Sequence, residues 1–197
     1  DMNLKGKVAI VTGAASGIGR STVIHLAKHG CTPVLVDIKD EQLVEVLVKV
    51  LKYAPEATAE VCDITDAVKI KQLVQKVNES YGKIDILINN AGVDRGATLL
   101  KVKEEDWDAV LGVHLKGTLN CIQAVAPHMV ENGYGKIINI SSVWGKSGAI
   151  SEISYSTAKA GIIGLTKSVA SELGRYQINV NVVVPGLILT LTVSKMS

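Results

Sequence analysis

The segment VAIVTGAASGIG, from Val8 to Gly19, carries the clearest indication of the fold of this chain. Its apolar start, residues 8–11, is typical of a buried strand; a glycine-rich turn follows, and residues 20–29 carry a helical pattern. Glycines let a phosphate approach the backbone, and a helix N-terminus offers N–H donors and a positive dipole. The order therefore predicts a pyrophosphate-binding turn, with a glycine-rich turn without ligand as the simpler alternative. The spacing G-x-x-x-G-x-G differs from the general dinucleotide pattern G-x-G-x-x-G.

Further apolar runs predict five more strands, at residues 32–36, 58–62, 84–88, 135–140 and 179–184. Helical spacing between the strands predicts two buried helix faces. These faces are Val44, Leu47, Val48 and Leu51 in one helix, and Ile70, Leu73, Val74 and Val77 in the next. A long helix is predicted from Glu104 to near Gly133, with a kink or break at Pro127. Strands alternating with helices predict an α/β fold, a doubly wound parallel sheet in one domain spanning residues 1–197.

Composition excludes several classes of protein. The net charge is only +2, and the basic residues are scattered, which argues against a nucleic-acid partner. The chain has three cysteines, Cys31, Cys62 and Cys121, which are too far apart to predict a metal site or a disulfide framework. No leader and no apolar run of about 18 residues is present, so we expect no membrane span. A cytoplasmic protein is the resulting expectation.

Asp37 follows the second predicted strand and bears on the choice of cofactor. A carboxylate there can accept both hydroxyls of an adenosine ribose and repel a 2′-phosphate. The glycine turn contains Ser16 rather than a basic residue, and only the nearby Lys39 could help to bind a phosphate. We therefore expect NAD rather than NADP. A helix N-cap is the alternative interpretation of Asp37.

Tyr155 and Lys159 are spaced i, i+4 and share one face of a predicted helix. A free phenol has a pKa of about 10, and a neighbouring ammonium is expected to lower it. Ser142 follows the strand at residues 135–140, so its hydroxyl is expected to project toward Tyr155. The three side chains together predict a site that holds a carbonyl or alcohol oxygen and exchanges its proton. An ordinary helix face is the alternative.

Polar or small residues follow every predicted strand. They are Gly13, Asp37, Asp63, Asn90, Ser142 and Pro185. Open parallel sheets bind ligands beyond the carboxyl ends of their strands. We therefore expect these six positions to line one crevice.

Taken together, these motifs resemble the classical branch of the short-chain dehydrogenase/reductase family. The matching motifs are residues 12–19, Asp63, Asn89-Asn90-Ala91-Gly92, Ser142, Tyr155-x-x-x-Lys159 and Pro185-Gly186. The resemblance implies a Rossmann-type sheet of strand order 3-2-1-4-5-6, in an NAD-dependent oxidoreductase that interconverts a secondary alcohol and a ketone. A 3-oxoacyl-thioester reductase is a second hypothesis for an enzyme, although Asp37 argues against the common type of this reductase, which uses NADPH. A nucleotide-binding scaffold with little turnover is the alternative outside the enzymes.

The resemblance also implies residue roles. Tyr155 is the general acid/base, Ser142 binds the substrate oxygen, and Lys159 holds the nicotinamide ribose and lowers the pKa of the tyrosine. The other implied cofactor contacts are Gly13, Ser16, Gly17, Ile18 and Gly19 at the pyrophosphate, Asp37 at the ribose, Asp63 and Ile64 at the adenine, Asn90, Ala91 and Gly92 along the cofactor, and Pro185, Gly186, Ile188 and Thr190 toward the nicotinamide. Beside this set, Asp94, Trp144 and Glu152 are candidate substrate-pocket residues, with Trp144 as an apolar wall.

The chain departs from the family pattern in two places. His114 stands where the family usually has an asparagine that completes the catalytic set, and an imidazole with a pKa near neutrality can also relay protons. The family usually continues beyond the Pro-Gly motif with a substrate-covering segment, so we expect the C-terminal part of the fold to be absent here. The long helix and the tyrosine helix are expected to pair with their copies in a homodimer or homotetramer.

Overall fold

The computed structural model describes residues 4–188, within which six parallel strands form one sheet in the order β3-β2-β1-β4-β5-β6. The strands are β1 Val8–Thr12, β2 Thr32–Asp37, β3 Thr58–Val61, β4 Ile86–Asn89, β5 Gly135–Ile140 and β6 Ile178–Val183. This topology confirms the predicted Rossmann-type sheet and its strand order. The predicted strand boundaries differ from these by at most two residues.

Helices connect the strands and cover the sheet on both faces. They are α1 Gly17–Lys28, α2 Asp40–Val50, α3 Ala67–Tyr81, α4 Glu104–Leu111, α5 Thr118–Glu131, α6 Trp144–Ser147 and α7 Ile153–Leu173, with a 3₁₀ turn at Gly174–Tyr176. Helices α1 and α2 pack on one face around Val11 and Leu43, and α3, α5 and α7 pack on the other around Ile10 and Val125. All five residues of β1 are buried, because this strand is covered on both faces.

The apolar stripe predicted for α2 is shifted by one residue in the structure. Leu43, Val46 and Val50 face the core, whereas Val44 and Val48 are 51% and 57% exposed. Two overlapping stripes with the same helical spacing run along this helix, and periodicity alone does not choose between them. The stripe predicted for α3 is confirmed, since all four of its residues are buried.

The long helix predicted from Glu104 is interrupted by a π-helical turn. This turn, Gly112–Gly117, joins α4 to α5, and Pro127 lies inside α5 without ending it. A π-helical turn holds more residues per turn than an α-helix and is frequent at functional sites. His114 lies in this turn and is buried.

At the amino ends of the strands, a buried carboxylate ties β1 to β4. Asp85 precedes β4 and accepts hydrogen bonds from Lys7 Nζ at 2.8 Å and from the Val8 N–H at 2.9 Å. Lys83 Nζ lies 3.7 Å from the second carboxylate oxygen, and Lys7 Nζ lies 3.7 Å from the centre of the Tyr134 ring. We call Lys7, Lys83, Asp85 and Tyr134 the amino-edge cluster.

None of the helices within residues 4–188 is long and apolar enough to cross a membrane.

Candidate active site

The glycine turn packs against the segment that follows β4. Gly13 has a φ of +67°, and a Cβ there would lie 2.8 Å from Ala91 Cα. A Cβ on Gly19 would lie 2.1 Å from the Gly13 carbonyl oxygen, so the first turn of α1 can approach the glycine turn this closely only if residue 19 is glycine. The Asn90 side-chain amide donates to the carbonyls of Thr12 and Gly13, both at 3.1 Å. Asn90 therefore fixes the turn.

Thr12 was not among the predicted site residues, yet it joins the same two segments. Its buried hydroxyl oxygen accepts the N–H groups of Asn90 and Ala91, both at 3.1 Å. A threonine at the end of an otherwise apolar strand, just before a glycine turn, was the signal available in the sequence. The Thr12 hydroxyl holds the carboxyl ends of β1 and β4 in register.

The N-terminus of α1 fits an anion such as a pyrophosphate. Its N-cap, Ser16, makes no side-chain capping bond, and the first turn of the helix contains no acidic residue. The first N–H groups of a helix have no partner within the helix. With the helix dipole, the N–H groups of Gly17, Ile18 and Gly19 suit a pyrophosphate at this turn.

Asp37 at the end of β2 has both carboxylate oxygens held by backbone groups. Oδ2 accepts the Ala15 N–H at 3.0 Å, and Oδ1 accepts the Lys39 N–H at 3.1 Å. The N-cap of α2 is Lys39, so the alternative interpretation of Asp37 as that N-cap is wrong. A carboxylate has about four acceptor positions, so Asp37 retains capacity to accept ribose hydroxyls.

The segment after β3 is pinned by its own turn and by α5. Asp63 Oδ1 accepts the N–H of Thr65 at 2.9 Å and its hydroxyl at 2.8 Å. Asn120 donates to the Ile64 carbonyl at 2.9 Å, and the Ile64 side chain fills the space beside Gly117. Asn120 was not predicted from the sequence. The one feature that could have indicated its role was an amide side chain in the apolar stripe of a helix.

Ser142, Tyr155 and Lys159 come together at the carboxyl end of β5. Ser142 lies two residues beyond the strand, and its side chain is near enough to Tyr155 on α7 to act on the pKa of that phenol. Lys159 is buried, and its Nζ donates to the Ile140 carbonyl at 2.8 Å. The Trp144 ring lies 6.0 Å from the Tyr155 ring at an interplanar angle of 79°. This arrangement can hold an oxygen atom between a hydroxyl and a phenol.

The expected lowering of the pKa of Tyr155 is wrong. Burial raises the pKa of Tyr155; the nearby Ser142 hydroxyl opposes this increase, and the charges of Asp94 and Glu152 add to it. The Lys159 ammonium is directed to a strand carbonyl, and burial lowers the pKa of that lysine to about 8. The helical spacing relates Lys159 to Tyr155, but it does not show that two carboxyl groups also lie near the phenol.

His114 is a neutral, buried imidazole in the structure. Burial, followed by the nearby charge of Lys159, lowers the pKa of His114 to about 4, well below the value near neutrality that was expected. Nε2 lies 2.8 Å from the Val93 carbonyl oxygen, a contact that is satisfied when Nε2 carries the proton, and Nδ1 has no partner within residues 4–188. The ring meets Tyr155 edge-on at 5.3 Å. A Cβ on Gly92 would lie 2.3 Å from His114 Cε1, so Gly92 makes room for the imidazole.

Two of the candidate substrate-pocket residues are acidic and adjoin Tyr155. Glu152 is 8% exposed, whereas Asp94 is exposed. Burial, followed by the proximity of Asp94, raises the pKa of Glu152 to about 7.

The segment after β6 runs beside Ser142. The Pro185 carbonyl accepts the Val143 N–H at 2.9 Å, and the Ile188 side chain is partly exposed. Thr190 lies outside the described residues.

The cysteines and the acidic residues form no metal centre in the described part of the chain, where no group of three or more His, Cys, Asp or Glu could hold an ion. Cys31, Cys62 and Cys121 are buried free thiols.

The sheet order and the residues at its carboxyl edge define a nucleotide-binding oxidoreductase fold. The sequence profile described as short chain dehydrogenase matches residues 7–197, and the chain belongs to this family. Family membership supports oxidoreductase activity on a CH–OH group of a small molecule.

The matches to similar proteins cover most of this chain. It is 46% identical over 99% of its length to the 3-oxoacyl-(acyl-carrier-protein) reductase FabG of Thermotoga maritima, of which the match covers 79%. It is 42% identical over 96% of its length to the (2S)-((R)-hydroxy(phenyl)methyl)succinyl-CoA dehydrogenase subunit BbsD of Thauera aromatica, of which 76% is covered. The structure of an NAD⁺-bound xylitol dehydrogenase superposes with a TM-score of 0.92 at 35% identity, covering 94% of this chain and 72% of that one.

Proposed function

We propose that this protein is an NAD-dependent oxidoreductase that interconverts a secondary alcohol and a ketone. The observation that carries the cofactor choice is the fixed carboxylate of Asp37, held by the N–H groups of Ala15 and Lys39. A fixed negative charge accepts ribose hydroxyls and repels a 2′-phosphate at the same position. The NAD⁺-bound xylitol dehydrogenase provides a precedent within the family.

In the proposed reaction the protein supplies placement and proton transfer. The N–H groups at the start of α1 hold the pyrophosphate, Asp37 holds the adenosine ribose, and the nicotinamide supplies the hydride chemistry. Ser142 orients the substrate oxygen, and Tyr155 exchanges its proton. The raised pKa of Tyr155 favours the phenol, which serves as the acid in ketone reduction, so alcohol oxidation is expected to increase with pH.

A second candidate is an oxidoreductase whose ketone is a 3-oxoacyl thioester. The names of two similar proteins, a 3-oxoacyl reductase and a succinyl-CoA dehydrogenase, favour it. Exposed apolar side chains near the site suit an acyl chain, since Leu99, Leu100 and Ile150 are 71%, 95% and 94% exposed. The loops that carry them are joined by the Ala97 N–H, which donates to the Ser151 carbonyl at 2.7 Å.

The cofactor is tested by initial rates with NAD⁺ and NADP⁺ for the wild type and for Asp37→Ser. We expect kcat/KM to favour NAD⁺, and the preference to fall by about tenfold or more in the variant, the size of a lost charged hydrogen bond. Asp40→Ser, three residues further on at the start of α2, is the matched control and should keep the preference. A wild type that prefers NADP⁺ contradicts the proposal.

The substrate class is tested with simple secondary alcohols, sugar alcohols and 3-hydroxyacyl thioesters under saturating NAD⁺. Turnover confined to the thioesters favours the second candidate, and turnover of the free alcohols favours the first. Tight NADH binding without turnover of any compound favours a nucleotide-binding scaffold.

A further inference from the structure

Glu152 is held at the start of α7 by a loop that follows β4. Ala97 and Glu152 form an isolated parallel bridge, and the Ala97 N–H donates to the Ser151 carbonyl at 2.7 Å. A Cβ on Gly96 would lie 3.1 Å from Glu152 Oε1, so the carboxyl group packs directly against this glycine. The position of Glu152 is therefore set by packing and backbone contacts.

This carboxyl group lacks a hydrogen-bond donor among the described residues. Glu152 is 8% exposed, and its buried Oε2 has no partner. Its charged neighbour is a second carboxyl group, Asp94, and two carboxyl groups can bond to each other only by sharing a proton. Arg95 offers no compensation here, because its guanidinium lies 3.9 Å from Asp106 instead. A buried acceptor without a donor is costly unless a ligand satisfies it.

The pair adjoins the reacting position. Glu152 is the N-cap of α7, three residues before Tyr155, and the charges of Glu152 and Asp94 both act on the phenol. The other ionisable side chains beside Tyr155 are His114, which is neutral, and Lys159, whose ammonium bonds the Ile140 carbonyl. No cation among the described residues forms an ion pair with Glu152 or Asp94, so the buried Glu152 Oε2 beside the phenol is left for another donor.

Resting on the proposed function, we propose that Glu152 and Asp94 bind a hydrogen-bond donor that the substrate carries next to its reacting carbon, either a second hydroxyl or an ammonium group. The pair selects diols, hydroxyketones and amino alcohols and disfavours substrates with a carboxylate at that position, because like charges repel. This substrate class differs from the 3-hydroxyacyl thioesters of the second candidate.

The test compares secondary alcohols that share a CH3–CH(OH)– unit and differ only in the group beside the carbinol. They are 1,2-propanediol, 1-amino-2-propanol and lactate, with 2-butanol as the reference without a polar neighbour. We expect the wild type to prefer the diol and the amino alcohol. Glu152→Gln and Asp94→Asn are each expected to lower the ratio of kcat/KM for 1-amino-2-propanol over lactate by about tenfold or more. Glu131→Gln, at the far end of α5, is the matched control and should leave the ratio unchanged.

Persistent turnover with the same ratio in both variants overturns the inference and leaves the proposed oxidoreductase intact. Absence of turnover in the wild type instead contradicts the proposed function. The pair is then tested by infrared titration, in which a protonated carboxyl band present in the wild type below neutral pH and missing in Glu152→Gln supports it. Absence of that band in the wild type overturns it.

Discussion

The amino ends and the carboxyl ends of the strands differ in how their buried polar groups are hydrogen-bonded. At the amino edge, the carboxylate of Asp85 has three partners: two lysines and a backbone N–H. Within the described residues, five buried side-chain atoms have no hydrogen-bond partner, and all five lie at the carboxyl edge. These atoms are Asn89 Oδ1, His114 Nδ1, Glu152 Oε2, Ser154 Oγ and Ser156 Oγ.

This difference suggests that the amino edge contributes mainly to stability and the carboxyl edge mainly to function. Satisfied buried groups hold strands together, whereas unsatisfied ones cost free energy and are kept where a ligand or a reaction uses them. Substitutions at the amino edge should therefore change the free energy of unfolding, and substitutions at the carboxyl edge should change activity more than stability.

The largest expected effect is that of Lys159→Met. Methionine fills the buried site without a charge, so the free energy of unfolding should stay the same or rise, because burial disfavours this ammonium. We expect kcat/KM with NAD⁺ to fall by about a thousandfold, within the range for losing an acid–base component. Chemical denaturation and initial rates check the two halves of this prediction. A variant that is both active and destabilised would abolish the contrast between the edges.

Asp85→Asn should show the reverse pattern. Removing the charge leaves two lysines without their carboxylate in the amino-edge cluster, and we expect a loss of about 2–4 kcal/mol in the free energy of unfolding. At temperatures well below the unfolding midpoint, kcat should be unchanged. Asp108→Asn, on the exposed side of α4, is the control and should change stability by less than about 0.5 kcal/mol.

The sequence predicted the parallel sheet well because its signals are local. Each strand ends at, or is followed within two residues by, a polar residue, a glycine or a proline, so Gly13, Asp37, Asn90 and Ser142 were correctly expected at the carboxyl ends of the strands. The predictions that failed depend on tertiary surroundings. Burial moves the pKa of His114 far from its ordinary value, and two carboxylates oppose the expected lowering at Tyr155.

Other features had no distinct signal in the sequence. The choice between the two apolar stripes on α2 depends on how this helix packs against the sheet, and the π-helical turn at Gly112–Gly117 was not predicted. Thr12 and Asn120 act through backbone carbonyl and N–H groups of segments distant in the chain. Such contacts have no fixed spacing that a motif could record.

A double-mutant cycle tests whether the His114 ring is the reason that residue 92 is a glycine. Gly92→Ala should cost about 1–3 kcal/mol, because its methyl group would overlap the imidazole. In the background His114→Asn, with a smaller side chain, we expect most of that cost to disappear. Gly164→Ala is the control, since a Cβ there meets nothing within 4 Å, and alanine should stabilise α7 by up to about 1 kcal/mol. Equal costs of Gly92→Ala in both backgrounds would show that the ring does not impose the glycine.

The smallest expected effect is on the pH dependence of stability. His114 has a lowered pKa, so its contribution is lost as pH falls from about 6.5 toward 4. Glu152 has a raised pKa, so its contribution is lost as pH rises from about 4.5 through 7. Relative to the wild type, the stability of Glu152→Gln should therefore increase with pH, and that of His114→Asn should decrease. Thermal unfolding midpoints measured between pH 4.5 and 7 check this, and parallel curves for all three proteins would contradict it.

Proton transfer through Tyr155 is tested by NADH formation from NAD⁺ and secondary alcohols by the wild type and Tyr155→Phe. Phenylalanine keeps the ring beside His114 and Trp144 and removes only the hydroxyl near Ser142. We expect turnover in the wild type, a loss of at least about a hundredfold in the variant, and equal NADH binding by both. Turnover that survives the substitution would contradict the claim that this edge of the sheet transfers a proton through Tyr155.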